Sequence, residues 1–303
     1  MKILMSGASG FVGSYFLKRF LEKNISVDLI SRKSPSNINT NYVELFNYDI
    51  TNYKNINFNK QYNVFIHLAG ANDIDSKNPK DALTKTAYGT RNCLELCKKN
   101  NIKNFIYFST LQVYGDNSEI SETSPINCQN DYALTHFFAE KYVEMFARNG
   151  INFIILRPSN IYGNFESKTV DRWSLVPGCF CKDVKKKSTI TLLSSGKQKR
   201  DFISLEDVFG FTLHLIKKNP LFNNQVYNLA SGDVHSIIEL AKLVKMRYEL
   251  IFDTSCDLVI ESKMPNYSKE YSVSTSKVLN TGYNLNSSSI FEIQETIDNL
   301  LRG

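Results

Sequence analysis

Apolar residues in the first half of the chain fall alternately into short β-branched or aromatic runs and longer amphipathic stretches. Residues 2–5 form a short apolar run. Residues 12–23 then place Tyr15, Phe16, Phe20 and Leu21 on one side of a helix. Segments 27–30, 42–46 and 64–68 read as strands, 81–99 as a long helix, 105–108 as a strand, 132–148 as a second long helix, and 153–156 as a strand. Strands alternating with helices predict a doubly wound α/β architecture: a parallel sheet covered on both faces, with right-handed crossovers. After Pro158 the rhythm loosens. Segment 161–173 reads as a loop, 175–185 as a helix, 190–193 and 202–203 as short strands, and 205–217, 236–244 and 291–301 as helices. The expected organisation is a sheet domain over 1–160, to which 201–230 returns, and a smaller lobe from 161–200 and 231–303.

The first strand runs directly into Gly7-Ala8-Ser9-Gly10-Phe11-Val12-Gly13, a G-x-x-G-x-x-G turn that opens a helix. Glycines there permit a tight turn and close approach of backbone to a phosphate, and the helix start offers unpaired N–H groups. Strand before, helix after and a pyrophosphate-sized turn between them predict a Rossmann domain holding a dinucleotide.

Composition changes this picture little. Apolar residues at 42% and charged residues at 22% suit an ordinary globular protein. The net charge of +6 is spread along the chain, so a run such as Lys185-Lys186-Lys187 reads as a solvated helix end and not as a nucleic-acid patch. A diffuse positive balance suits an anionic small molecule. Cys93, Cys97, Cys128, Cys179, Cys181 and Cys256 lack the paired spacing of a zinc site and read as reduced thiols, so no metal is expected. No signal segment or membrane-length apolar stretch is visible, which predicts a cytoplasmic protein without a membrane partner.

The glycine spacing resembles that of the extended short-chain dehydrogenase/reductase superfamily, whose members modify nucleotide-sugars. The resemblance continues in order through Asp49-Ile50, His67-Leu68-Ala69-Gly70, Val113-Tyr114-Gly115, Leu156-Arg157-Pro158-Ser159-Asn160-Ile161-Tyr162-Gly163, Arg200-Asp201-Phe202-Ile203, Tyr227-Asn228-Leu229-Ala230-Ser231-Gly232 and Thr275-Ser276-Lys277-Val278-Leu279. It implies cofactor contacts from Gly7, Ser9, Gly10, Phe11, Val12 and Gly13, from Asp49 and Ile50, from Leu68, Ala69 and Gly70, and from Thr86 and Pro158. It also implies a homodimer paired through the two long helices, and a nucleotide-diphosphate sugar substrate touching Gln112, Asn160 and Arg200. An Arg fork suits a diphosphate.

The second strand ends at Ser31, followed by Arg32 and Lys33. No carboxylate stands there to bond a ribose 2′-hydroxyl, and two cations are placed to attract a 2′-phosphate. The reading favours NADP, with NAD as the alternative.

The superfamily's catalytic Tyr corresponds to Tyr132 and its Ser/Thr to Thr110. Its Lys, one helical turn after the Tyr, is His136 here, and its Asn is Thr86. These are departures. A histidine is largely neutral at pH 7, more so beside a cationic nicotinamide, and activates a Tyr132 phenolate weakly. Oxidation needs that phenolate as base, whereas reduction needs the phenol as acid, so the swap disfavours oxidation more. Leu111 and Gln112 replace the Asp-Glu pair of 4,6-dehydratases, and Gln112 cannot act as an epimerising acid. Three readings stay open: an NADP-dependent 4-keto nucleotide-sugar reductase, a nucleotide-sugar 4-epimerase with bound NAD, and a catalytically weak dinucleotide-binding protein.

Overall fold

A computed structural model describes residues 1–32, 43–52, 56–166, 173–218, 222–261, 270–286 and 290–303. Lys33 and Tyr42, and the part of the expected loop over 167–172, lie outside the described residues. The strands in chain order are β1 (Lys2–Ser6), β2 (Ser26–Ser31), β3 (Leu45–Asn47), β4 (Val64–His67), β5 (Asn104–Phe108), β6 (Glu119–Ile120), β7 (Asn152–Pro158), β8 (Asn160–Tyr162), β9 (Thr189–Leu192), β10 (Lys199–Ser204), β11 (Gln225–Leu229), β12 (Val234–Ser236), β13 (Asp257–Ile260) and β14 (Ser272–Val273). The α-helices are α1 (Phe11–Glu22), α2 (Pro79–Ala82), α3 (Gly89–Lys99), α4 (Asp131–Ala147), α5 (Gly178–Lys187), α6 (Leu205–Lys217), α7 (Ile237–Phe252), α8 (Ser276–Leu279) and α9 (Ile290–Arg302).

Seven parallel strands form the main sheet in the order β11-β7-β5-β4-β1-β2-β3. The chain moves outward from β1 to β3 and then crosses back to β4, so the order reverses between β1 and β4. In such sheets the ligand crevice opens at the carboxyl ends of these two strands. β1 registers Ser6 against Ile30 on one side and His67 on the other, which aligns the ends of β1, β2 and β4.

Both faces of the sheet are covered. On one, α1 buries Phe11, Phe16, Leu17 and Phe20, spaced as a single helix face. Phe16 meets Phe108 and Phe209 edge-on, at ring separations of 5.7 and 5.2 Å. On the other, Cys93, Leu94, Leu96 and Cys97 of α3 and Val143 and Phe146 of α4 pack over Phe65, Phe105 and Ile155. Each such side chain contributes roughly 1.5–3 kcal/mol by leaving water. A further core unites Phe180, Val184, Ile190, Leu192, Leu240, Val244, Ile297 and Leu301 from α5, β9, α7 and α9. None of the cysteines is paired.

Several sequence expectations need correction. The long helix expected over 81–99 is three pieces: α2, a π-helical segment over Leu83–Tyr88, and α3. A π-helical turn accommodates an extra residue, and hydrophobic spacing alone does not reveal it. Residues 160–162, expected mostly as loop, form β8, parallel to β10 with Phe202 opposite Asn160. β11 was unanticipated as a strand, yet it pairs with β7 and completes the sheet. α5 begins at Gly178, later than expected, and α7 runs to Phe252, one helical stretch beyond Val244. The short strands β6, β12, β13 and β14 carry too few residues to show a period.

Candidate active site

The opening turn is built as its sequence requires. Gly7 has φ +78°, and a Cβ there would lie 2.7 Å from the Ala69 nitrogen and the Leu68 carbonyl carbon. A Cβ on Gly13 would lie 2.1 Å from the Gly7 oxygen. These two glycines let the turn, the end of β4 and the start of α1 touch backbone to backbone. Gly10 differs. Its φ of −83° is open to any residue, and a Cβ there would meet only the Gly7 oxygen, at 3.3 Å. Ser9 and Gly10 are exposed, Val12 is half-buried, and Phe11 is buried against Phe165 at a ring separation of 5.6 Å.

No side chain caps α1, and no acidic residue sits in its first turn. An uncapped helix start with a side-chain-free residue above it fits a diphosphate group. Gly10→Val is therefore expected to fold normally but to weaken dinucleotide binding by roughly tenfold or more. Gly13→Val is expected to lower the melting temperature instead. Fluorescence titration with NADPH and NADH, beside thermal melts, checks both. An unchanged dissociation constant in Gly10→Val would remove the diphosphate from this turn.

The remaining cofactor candidates line the same edge of the sheet. Ser31 ends β2 half-buried, and Arg32 is exposed. The Asp49 carboxyl accepts from the backbone and side chain of Thr51, at 2.9 and 2.8 Å. Although burial opposes ionisation, these bonds and the nearby Arg32 charge hold it below the usual carboxylate range. Asn92 donates to the Ile50 carbonyl at 2.7 Å and anchors that pair to α3. Leu68 and Ala69 are half-buried, and Gly70 is exposed. Thr86 accepts from the Ala71 N–H at 2.9 Å and so holds the Gly70–Ala71 turn. Pro158 is buried at the end of β7 and borders the neighbouring cleft.

That cleft has a volume of about 510 Å³. Thr110, Gln112, Asn130, Asn160, Lys199 and Arg200 are among the residues lining it. Thr110 follows β5 and accepts from the Gln112 N–H at 3.2 Å. Gln112 is tied to the start of α4 through Asn130, which donates to its carbonyl at 3.3 Å and caps the helix by accepting from the Ala133 N–H at 2.8 Å. Asn160 donates to the Asp201 carbonyl at 2.9 Å, and Arg200 is exposed at the cationic end. Gln112, Asn160 and Arg200 thus share one cleft with Thr110.

Tyr132 and His136 stand one turn apart near the start of α4, with ring centres 4.6 Å apart. Tyr132 is half-buried, while His136 is 7% exposed. Burial, acting without any charged partner, lowers the His136 pKa to about 4. The ring is neutral at pH 7 because of its surroundings alone. Its Nδ1 lies 2.8 Å from the Tyr107 hydroxyl.

Sequence reading passed over the groups beneath this site. Glu140, fully buried on α4, receives Arg157 in a paired fork at 2.9 and 2.6 Å and the Ser109 hydroxyl at 2.5 Å. Arg157 also donates to the Tyr114 hydroxyl at 2.6 Å, and Tyr114 donates to Asn228 on β11 at 2.8 Å. A buried pair of this kind survives only when such bonds satisfy it, and it fixes α4 against β5, β7 and β11. The signal was present in the sequence: an arginine inside the apolar strand after residue 152, and a glutamate one turn past His136 on the same helix face.

A model of the NAD dependent epimerase/dehydratase family matches residues 3–230. The chain belongs to this family. A "Putative UDP-glucose 4-epimerase" of Methanocaldococcus jannaschii is 30% identical over 267 residues, covering 83% of this chain and 85% of that protein. A UDP-N-acetylglucosamine 4-epimerase structure from Methanobrevibacter ruminantium superposes with a TM-score of 0.83 at 18% identity, over 99% of this chain and 97% of the other. A UDP-glucuronic acid 4-epimerase from Bacillus cereus, in complex with UDP-glucuronic acid and NAD, gives 0.81 at 22% identity, over 100% and 99%. These structures share the Rossmann architecture of the epimerase/dehydratase family. Among the described residues no helix is long and apolar enough to cross a membrane.

Proposed function

We propose that this chain reduces a 4-keto nucleotide-sugar, with Tyr132 as the general acid and Thr110 orienting the carbonyl. The observation that carries the reading is His136: a buried, neutral ring at the position where the resemblance places a lysine. A cation beside Tyr132 would favour its phenolate; a neutral ring leaves the phenol protonated near pH 7. A protonated Tyr132 hands its proton to the developing alkoxide oxygen, and the Thr110 hydroxyl donates to that same oxygen. Gln112 and Asn160 bond the sugar, and Arg200, with Lys199 beside it, meets the diphosphate. Gly7 to Gly13, Ser31, Arg32, Asp49, Ile50, Leu68 to Gly70 and Pro158 hold a nicotinamide dinucleotide, which supplies the hydride when bound. Ser31 and Arg32 favour NADP over NAD, because neither repels a 2′-phosphate.

A 4-epimerase reading is favoured by the relatives' names. An epimerase must remove a hydroxyl proton in every turnover, and that is the step a neutral His136 supports least. Oxidation of NADPH by the purified protein with UDP-, dTDP-, CDP- or GDP-linked 4-keto sugars tests the reductase. Interconversion of two 4-epimers without added cofactor, with NAD released on denaturation, would replace it with the epimerase.

The chain also pairs with a second copy in this reading. Leu134, Phe138 and Met145 on α4 and Tyr88 before α3 are exposed apolar side chains on the two helices that the resemblance assigns to a dimer.

A further inference from the structure

We propose that Tyr107 is a positioning residue that fixes His136 as its neutral Nε2–H tautomer, giving this chain an uncharged N–H donor at the lysine position. The role in turnover rests on the reductase reading above; the tautomer does not.

Tyr107 lies on β5, 1% exposed. Burial, reinforced by the Glu140 charge, raises its pKa well above the ordinary value, so it keeps its proton. A buried hydroxyl must donate to something. His136 Nδ1, at 2.8 Å, is the acceptor. Thr90 also neighbours Tyr107, but the two hydroxyls make no well-formed hydrogen bond; the Thr90 proton goes to the Thr86 carbonyl at 2.6 Å, and its oxygen lies 3.0 Å from His67 Nε2. That arrangement fixes a second tautomer. Since Thr90 has no proton left, His67 donates from Nε2, and its Nδ1 accepts the Ser6 hydroxyl at 2.6 Å. His67 in turn stacks on Tyr107, with ring centres 5.9 Å apart and planes 27° from parallel. The Tyr107 ring is therefore held from the sheet side while its hydroxyl takes Nδ1. With Nδ1 occupied as acceptor, the imidazole proton resides on Nε2. The His136 ring borders the turn at Gly70, where a Cβ would lie 3.9 Å from its Cε1 and 3.4 Å from the Thr86 hydroxyl. His136 thereby offers one N–H without adding charge beside Tyr132.

The test is nitrogen-15 NMR of the histidine-labelled full chain, which has four histidines, with His136 assigned by its loss in His136→Asn. The wild type is expected to show Nε2 protonated and Nδ1 bare at pH 7.5. Tyr107→Phe is expected to give a mixture of tautomers and roughly a tenfold lower kcat for ketone reduction, with KM little changed. In a His136→Lys background, where no tautomer exists, the same substitution is expected to cost less than twofold. A protonated Nδ1 in the wild-type spectrum would overturn the proposal even if Tyr107→Phe failed to fold. So would an equal loss of kcat in both backgrounds, because that marks a purely structural role. The predicted spectrum without turnover of any keto sugar would defeat the reductase reading and leave the tautomer standing.

Discussion

His136→Lys is expected to move the pH profile of Tyr132 downward by about one to three units, the usual effect of a cation within contact distance. In the wild type the residue one turn on is the neutral His136 ring, and an unperturbed phenol has a pKa of about 10. Alcohol oxidation should therefore still be climbing at pH 9, while ketone reduction stays flat from pH 6 to about pH 9. With lysine in place, oxidation should reach its plateau nearer neutrality, and its single-turnover rate at pH 7.5 should rise by roughly tenfold or more. The reaction equilibrium fixes the ratio of the two kcat/KM values at any one pH, so the effect must be read from pH profiles and single-turnover rates. Profiles that superimpose for the two proteins would show that His136 does not govern the proton on Tyr132.

Acidification to pH 5 is expected to remove on the order of 4 kcal/mol of stability relative to pH 7.5, before most carboxylates protonate. Two buried histidines account for this. Burial lowers His67 to about 3, with the neighbouring His136 adding to the effect, and His136 itself to about 4. Both values lie below the unfolded value of about 6.5. As pH falls below 6.5 the unfolded chain takes up two protons that the folded chain refuses, so the equilibrium tilts toward unfolding. The contribution is fully present above 6.5 and is lost progressively until the folded values are reached. Urea denaturation across pH 4.5 to 8 measures it. His67→Gln, though less stable at pH 7.5, should show about half the slope. A midpoint that does not change between pH 7.5 and 5 would mean that neither ring is held neutral.

Much of this was legible because local rules and the global fold agree. The strand–glycine turn–helix opening needs Gly7 and Gly13 for backbone contact, and those contacts are present in the structure. Alternation of apolar runs with amphipathic stretches gave the parallel sheet and its two covered faces. Thr110 and Asn160 fall at one cleft because they follow the carboxyl ends of β5 and β7, and Arg200 joins them from the amino end of β10. What escaped lies in features without a short-range signature. The π-helical segment at Leu83–Tyr88 leaves the hydrophobic period almost intact. Tyr107 reads as one more aromatic in a buried strand, and its bond to His136 depends on α4 lying across β5. Arg157 in an apolar strand and Glu140 on the His136 face each mark a buried charge, but their pairing with each other follows only from tertiary packing. The sequence predicts a mostly neutral His136 from the ordinary imidazole value and a cationic nicotinamide, whereas in the structure burial alone lowers its pKa to about 4.

The pairing of β11 with β7 has a consequence for how the protein is made. Residues 225–229 are synthesised well after the other strands of the sheet, yet their Asn228 terminates the Arg157–Tyr114 chain below the cleft. Until they emerge from the ribosome, β7 is a bare edge and the Tyr114 hydroxyl lacks its Asn228 acceptor. Contacts so distant in sequence form slowly, because a long loop must close first. The nascent N-terminal half is consequently a sticky, unfinished platform whose open edge invites pairing with other chains, and its exposure ends only when the last strand docks.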